Sequence, residues 1–266
     1  MRTRYHKMAI DNNQNVFFKA RFAGLSVGIG CLTPELRDFC ADYIANDDTK
    51  EDINIRITPD DIAAEAARTA DGTFTPLMHE ISAVHRAVAE KLPFFDRIVM
   101  HGAAITYLDG AYMFCAPSGT GKSTHISLWR RYLGSSVDII NGDKPFLSLG
   151  TQNDDRIYVH GSPWSGKERW QKNRSAPLRA ICFISRSGQN SITTLPPEKC
   201  LQMLMRQVYM PQSADAAHAT LGLIDRLVRK IPLYHLCCNI SEDAVRCSFE
   251  ALTGTRYHSS QTDAVE

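Results

Sequence analysis

The segment Ala116-Pro-Ser-Gly-Thr-Gly-Lys-Ser123 puts a lysine and a hydroxyl directly behind a glycine-rich turn. Such a turn can aim several backbone N–H groups at one anion, and an adjacent lysine helps neutralise it. The closing Gly121-Lys122-Ser123 matches the phosphate-loop pattern G-x-x-x-x-G-K-[ST], while Ala116 stands at its first glycine, where only a small residue is needed. A glycine turn without a ligand would look similar. What separates the two is context: a strand, "AYMFC", enters the loop and an amphipathic helix, "THISLWRRYL", leaves it. Ser118, Gly119, Thr120, Gly121, Lys122, Ser123 and Thr124 are therefore the expected nucleotide-binding residues. In that reading Lys122 reaches the β/γ-phosphates of ATP and the Ser123 hydroxyl binds Mg²⁺. Thr124 either caps the helix or touches the α-phosphate, and the positive end of the helix dipole adds to the pull on the anion.

Phosphoryl transfer also requires a carboxylate for the metal and a group to take the acceptor's proton. Asp143, in "VDIINGDKPFL", lies just past an apolar strand, where a carboxylate can face the γ-phosphate. N-G-D is also good turn sequence, but with Lys122 upstream Asp143 is expected to act both as metal ligand and as base. His101, after the "RIVM" strand, is either a strand-end residue or a proton-handling group near the nucleotide. Lys144 and the loop "VHGSPWSGKERWQKNR" supply candidates for holding an acceptor or a phosphate: Trp164, Lys167 and Arg169, with Trp170 close by. The alternative for that loop is an exposed basic surface.

The elements around these residues read as a mixed α/β fold. Strands are predicted at "INIRI", "RIVM", "AYMFC", "VDII", "PFLSLG", "RIYVHG", "RAICFIS", "SITTL" and "IPLYHLCC", with an Asp109-Gly110 hairpin turn before "AYMFC". Helical spacing marks "TPELRDFCADYI", "PLMHEISAVHRAVAEKL", "LQMLMRQV" and "ATLGLIDRLV", and makes His79 and His85 helix-face residues. Strands come in runs, so the helices are expected to group on one side of the sheet. Three regions follow: an N-terminal α+β region over 1–93, a phosphate-loop domain over 94–253 and a flexible tail over 254–266.

Composition limits the partners. Across 266 residues the net charge is +1, which gives no broad electrostatic footprint for nucleic acid or a membrane surface. No run approaches the ~20 apolar residues of a membrane helix, and the first residues lack the apolar core of a secretory signal. The 8 cysteines are scattered without a CxxC; Cys115, Cys182 and Cys237 sit in apolar strands, and Cys237-Cys238 is read as core packing, not a metal or redox pair. A reducing cytoplasm is the expected setting.

Taken together, "HGAAITYLDGAYMFCAPSGTGKS", "IINGDKP" and "VHGSPWSGKE" resemble the catalytic domain of the HPr kinase/phosphorylase family, whose core is similar to phosphoenolpyruvate carboxykinase. The loop at 161–168 looks closer to an uncharacterised branch associated with peptide modification. The resemblance implies ATP-dependent, Mg²⁺-assisted transfer to a serine hydroxyl of a peptide or protein, with His101, Lys122, Ser123 and Asp143 at the family's functional positions, and a homo-oligomer. The chain departs from the family at two places. Gly142-Asp143 replaces a pair of adjacent acids, and Tyr158-Val159-His160-Gly161 replaces a Glu-x-Arg-Gly signature. Those departures leave the alternative of a nucleotide-binding module with impaired catalysis, and the open-looking loop "GSPWSGKERW", which suits a peptide or a metabolite, leaves that of a small-molecule kinase.

Overall fold

The computed structural model describes residues 16–69, 73–150 and 154–258. The opening segment (1–15) and the last part of the expected flexible tail (259–266) lie outside the described residues. Residues 254–258 fold back: the Tyr257 N–H donates to Glu250, and its ring meets Phe249 at a centroid distance of 5.9 Å.

The N-terminal part forms its own three-stranded sheet from β1 (Val16–Phe22), β2 (Leu25–Cys31) and β3 (Ile53–Arg56). Helices α1 (Glu35–Phe39), α2 (Pro59–Arg68) and α3 (Pro76–Ala89) accompany it. Thr58 and Thr75 cap α2 and α3 by accepting from the third helical N–H, and each is followed by a proline that loses nothing at the first turn. The helix expected through Ile44 stops at Phe39 and continues as a 3-10 turn, Ala41–Tyr43. It breaks because Ile44 leaves to bridge Ala20 and the Ala45 N–H is taken by the Lys19 carbonyl.

Among the described residues the main sheet has nine strands: β4 (Arg97–Val99), β5 (Ala103–Tyr107), β6 (Gly110–Cys115), β7 (Val137–Asn141), β8 (Phe146–Ser148), β9 (Tyr158–His160), β10 (Ser175–Arg186), β11 (Ser191–Thr194) and β12 (Leu233–Cys238). The path β4-β8-β9-β10-β6-β5-β7 branches at β10, whose carboxyl half lies between β6 and β12 and runs parallel to both. The remaining pairings are antiparallel.

Helices cover both faces of this sheet, not one as the order of elements suggested. Period-two alternation is the reason. Ala111, Met113 and Cys115 of β6 and Ile181 and Phe183 of β10 face a core shared with α5 (Pro197–Leu204) and α6 (Ala214–Lys230). Their neighbours Tyr112, Phe114, Ala180, Cys182 and Ile184 face a second core with α4 (Lys122–Leu133) and α7 (Glu242–Thr253). A strand apolar at every position needs a helix on each side. A third core belongs to the N-terminal sheet, but it includes Val99, Phe146 and Trp164 from the main domain.

The β5–β6 turn is displaced by one residue from its expected place. Tyr107 pairs with Gly110, so the turn residues are Leu108 (φ 54) and Asp109. Gly110 is instead the first strand residue, where a Cβ would lie 2.6 Å from Cγ of Arg179. Its lack of a side chain admits the arginine that pairs with Asp109 at 2.9 Å.

All eight cysteines are unbridged, and Cys115, Cys182 and Cys238 are buried in the cores. Burial pushes the Cys115 thiol up to about 12, as expected of an inert packing residue. Among the described residues no helix is long and apolar enough to cross a membrane.

Candidate phosphate-binding site

The loop sits where β6 meets α4. Ala116, at the position of the pattern's first glycine, is 2% exposed and packs into the core behind the loop, so a small apolar residue fits there. Gly119 (φ 76) and Gly121 (φ 120) hold backbone conformations that a side chain would strain. Arg186, at the end of β10, fixes the loop from outside: its Nε donates to the Thr120 carbonyl at 3.0 Å and its Nη2 to the Gly119 carbonyl. With those carbonyls drawn outward, the unpaired N–H groups at the start of α4 are left for an anion. Gly121 is the helix N-cap and no side chain caps it, so of the two roles open to Thr124, capping is not the one adopted.

The helix is anchored beneath the loop. His125 contacts Ser248 Oγ at 3.0 Å, and Trp129 Nε1 donates to the same oxygen at 2.9 Å. Burial lowers the pKa of His125 to about 4, as it does for His160, and that of His85 to about 3. Free histidine titrates near 6.5, so on acidification the unfolded chain takes up protons that the folded one refuses. Stability should therefore fall as pH drops through the window from about 6.5 toward 4. We expect a loss of roughly 1–2 kcal/mol per histidine by pH 5, read as a lower urea midpoint at constant slope. A midpoint unchanged between pH 7 and 5 would contradict their burial as neutral rings.

Lys122, His101 and Asp143 meet at the mouth of the loop. Lys122 Nζ donates to the Ala116 carbonyl at 2.8 Å and lies 3.2 Å from His101 Nε2, which lies 3.3 Å from Asp143 Oδ1. One imidazole nitrogen either carries a proton or presents a lone pair. Nε2 thus serves the lysine or the carboxylate, not both at once. Burial lowers the pKa of Lys122. For Asp143, burial acts to raise the pKa, but the His101 hydrogen bond and the charge and 2.7 Å contact of Lys144 outweigh it and hold the carboxyl well below its usual range. Asp143 is therefore ionised and suited to a cation, while these same contacts weaken it as a base.

The turn carrying Asp143 is built by Asn141. This fully buried side chain accepts from the N–H groups of Asp143 and Lys144, each at 2.9 Å, and donates to the Ser162 carbonyl at 2.9 Å. It joins the end of β7 to the 161–172 loop, which is further stitched by Gly142 N–H to Trp170 O and by Lys172 N–H to Ile140 O. Gly142 is buried under this loop; a Cβ there would stand 2.8 Å from the Ser165 carbonyl. The loop thus occupies the space that a second acid at 142 would need.

The expected acceptor residues divide. Lys144 contacts Asp143, and Lys167 and Arg169 are exposed on the loop beside it. Trp164 does not face an acceptor: it is 7% exposed, packs on Phe22, Phe146 and His85, and donates from Nε1 to the Ile81 carbonyl at 3.1 Å. An aromatic in a glycine- and serine-rich loop looks exposed in sequence; here it plugs the core of the N-terminal sheet. Ser118 and Thr124 are exposed, and Thr120 and Ser123 are half-buried.

Two contributors escaped the sequence reading. Arg186 is one, marked only by a basic residue ending an apolar strand. Glu168 is the other. A Cβ placed on Gly166 would lie 3.6 Å from Glu168 Oε2 and 3.6 Å from Asp143 Cγ, so the two carboxyl groups flank one point. The charge of Glu168 also acts on Lys122. The oxygen donors Ser123 and Asp143 fit Mg²⁺, which binds through one or two protein oxygens together with phosphates and water.

No protein-family model matches the chain, and no curated protein matches it. Among solved structures, it is similar to the Hpr(Ser) kinase/phosphatase from Coxiella burnetii, at 8% identity and a TM-score of 0.33, over 59% of this chain and 93% of that one. The chain is a mixed α/β protein.

Proposed function

We propose that the chain transfers the γ-phosphoryl group of ATP to a hydroxyl, specifically a serine of a peptide or protein. The observation that carries this is the convergence of Lys122, His101 and Asp143 behind a turn whose glycines and helix end suit a polyphosphate. Ser123 and Asp143 would hold Mg²⁺, which when bound offsets the negative charge of the β- and γ-phosphates. When a phosphate takes Lys122 from the Ala116 carbonyl and from His101, Nε2 of His101 is free to carry a proton toward Asp143. When Lys144 moves onto a phosphate oxygen, the Asp143 Oδ2 that it held is freed to accept a proton. The acceptor oxygen then attacks the γ-phosphorus, the bond to the β-phosphate oxygen breaks, ADP leaves, and the hydroxyl proton passes to Asp143. Glu168 supplies a second carboxylate from the loop.

A phosphoproteomic comparison tests the reading. The full chain, added with Mg²⁺ and ATP to an extract of its source cells, should place new phosphate on serine, and the Lys122→Ala chain should not. ATP binding without transfer to protein or small molecule would favour a nucleotide-binding module, and label confined to small molecules would favour a metabolite kinase.

A further inference from the structure

β6, β10 and β12 run parallel; β10 and β12 end side by side at Arg186 and Cys238, and β6 ends at Cys115 opposite Phe183. In open α/β sheets ligands settle in the crevice outside such ends. Here a cleft of about 370 Å³ opens there, within the size range of small-ligand sites. One wall is the loop and the first turns of α4, through Thr120, Gly121, Thr124 and Leu128; the other is Ile184, Cys238 and Ile240. Ile240 is 76% exposed, a large apolar side chain left facing water at the cleft's edge. A larger hollow of about 510 Å³ lies beside Arg130, Lys172 and Arg174, but it shares no residue with the loop.

We propose that this cleft receives the purine base of the nucleotide whose phosphates lie on the 116–123 loop. The proposal rests on the phosphate-binding reading above and adds the part of the ligand that reading leaves unplaced. Thr120 and Gly121 belong to both sites, so a ligand bound at the loop and extending along α4 enters the cleft directly. A flat apolar ring has little reason to lie among solvated phosphate groups, whereas Leu128, Ile184 and Ile240 offer it aliphatic surface. Arg186, which lines the cleft and holds the loop carbonyls, makes the two parts one unit.

Calorimetric titration of the full chain with ATP, CTP and inorganic tripolyphosphate, each with Mg²⁺, tests this. ATP should bind about tenfold or more tightly than tripolyphosphate, from the apolar area that the base buries, with CTP between them. Ile240→Ser combined with Leu128→Ser should bring ATP down to the tripolyphosphate level and leave tripolyphosphate binding unchanged. Equal affinities for ATP and tripolyphosphate in the unmodified chain, or an ATP affinity indifferent to the double substitution, would overturn the cleft assignment; equal ATP and CTP binding would overturn the purine. Lys122→Ala separates the two readings. If the loop holds phosphate, this change weakens ATP and tripolyphosphate together, whatever the cleft does. If tripolyphosphate binding ignores it or is undetectable at the outset, and ATP fails as well, both readings fall.

Discussion

Asp143→Asn should leave Mg²⁺-free ATP binding within about twofold of the unmodified chain and cut phosphoryl transfer by about 10²–10⁴-fold, the usual contribution of a positioned base. The asparagine keeps the shape of the turn, because Asn141 holds the 143 and 144 N–H groups through the backbone. What it removes is a charge. His101 and Lys144 now keep that charge ionised, so its loss frees Lys144 and leaves the acceptor's proton without a carboxylate on that side. The cost in stability should stay within about 1 kcal/mol, since Lys144 is 40% exposed and a half-solvated pair contributes little. Single-turnover transfer to an acceptor serine, measured beside an ATP titration, reads both effects. Glu168→Gln belongs in the same series. If that change costs more transfer than Asp143→Asn, the base lies on the loop and Asp143 serves the metal. Transfer undiminished in both variants would remove the carboxylates from the reaction.

Placing an acid at 142 should harm the protein, not improve it. Gly142→Asp would set a second acid beside Asp143, yet its Cβ would sit 2.8 Å from the Ser165 carbonyl and 3.4 Å from Cβ of Trp170. The loop cannot give way cheaply, because it is bonded to Ile140 and Asn141 of β7 and to Gly142 just beyond it. Overpacking and the burial of a carboxylate against a carbonyl oxygen should together cost about 3 kcal/mol or more, and lower the melting temperature by roughly 5–10 °C. Gly142→Ala should show the packing part of that loss alone. A Gly142→Asp chain as stable as its parent, with faster transfer, would mean that the loop yields and a second acid at 142 helps.

The strand, glycine turn and helix at 110–133 were legible because their signal is local. Two glycines with positive φ, a lysine and a hydroxyl, set between an apolar strand and a helix, carry the arrangement within one stretch of chain. Asp143 was legible by its position at a strand end. Glu168 was not, because no spacing links it to Lys122; it arrives only when the 161–172 loop folds back on the edge of β7. Trp164 was misread for a related reason. A loop of Gly, Ser and Pro is ordinarily solvated, but Asn141 and Ser162 satisfy its backbone, so it can be buried, and Phe22 and Phe146 give its tryptophan a place to pack. Leu108 took the positive φ at the hairpin because Gly110 was needed beneath Arg179, a long-range contact that no turn rule contains.

The three tryptophans of the chain have a practical consequence. Trp129 stands on the phosphate-loop helix, bonded to Ser248 behind it; Trp164 and Trp170 stand on the loop that covers Gly142. None lies elsewhere, so the tryptophan emission of the unlabelled protein comes from α4 and the 161–172 loop. Ligand arrival, loop displacement and melting of the N-terminal core can each be followed as a change in that light, without attaching a dye.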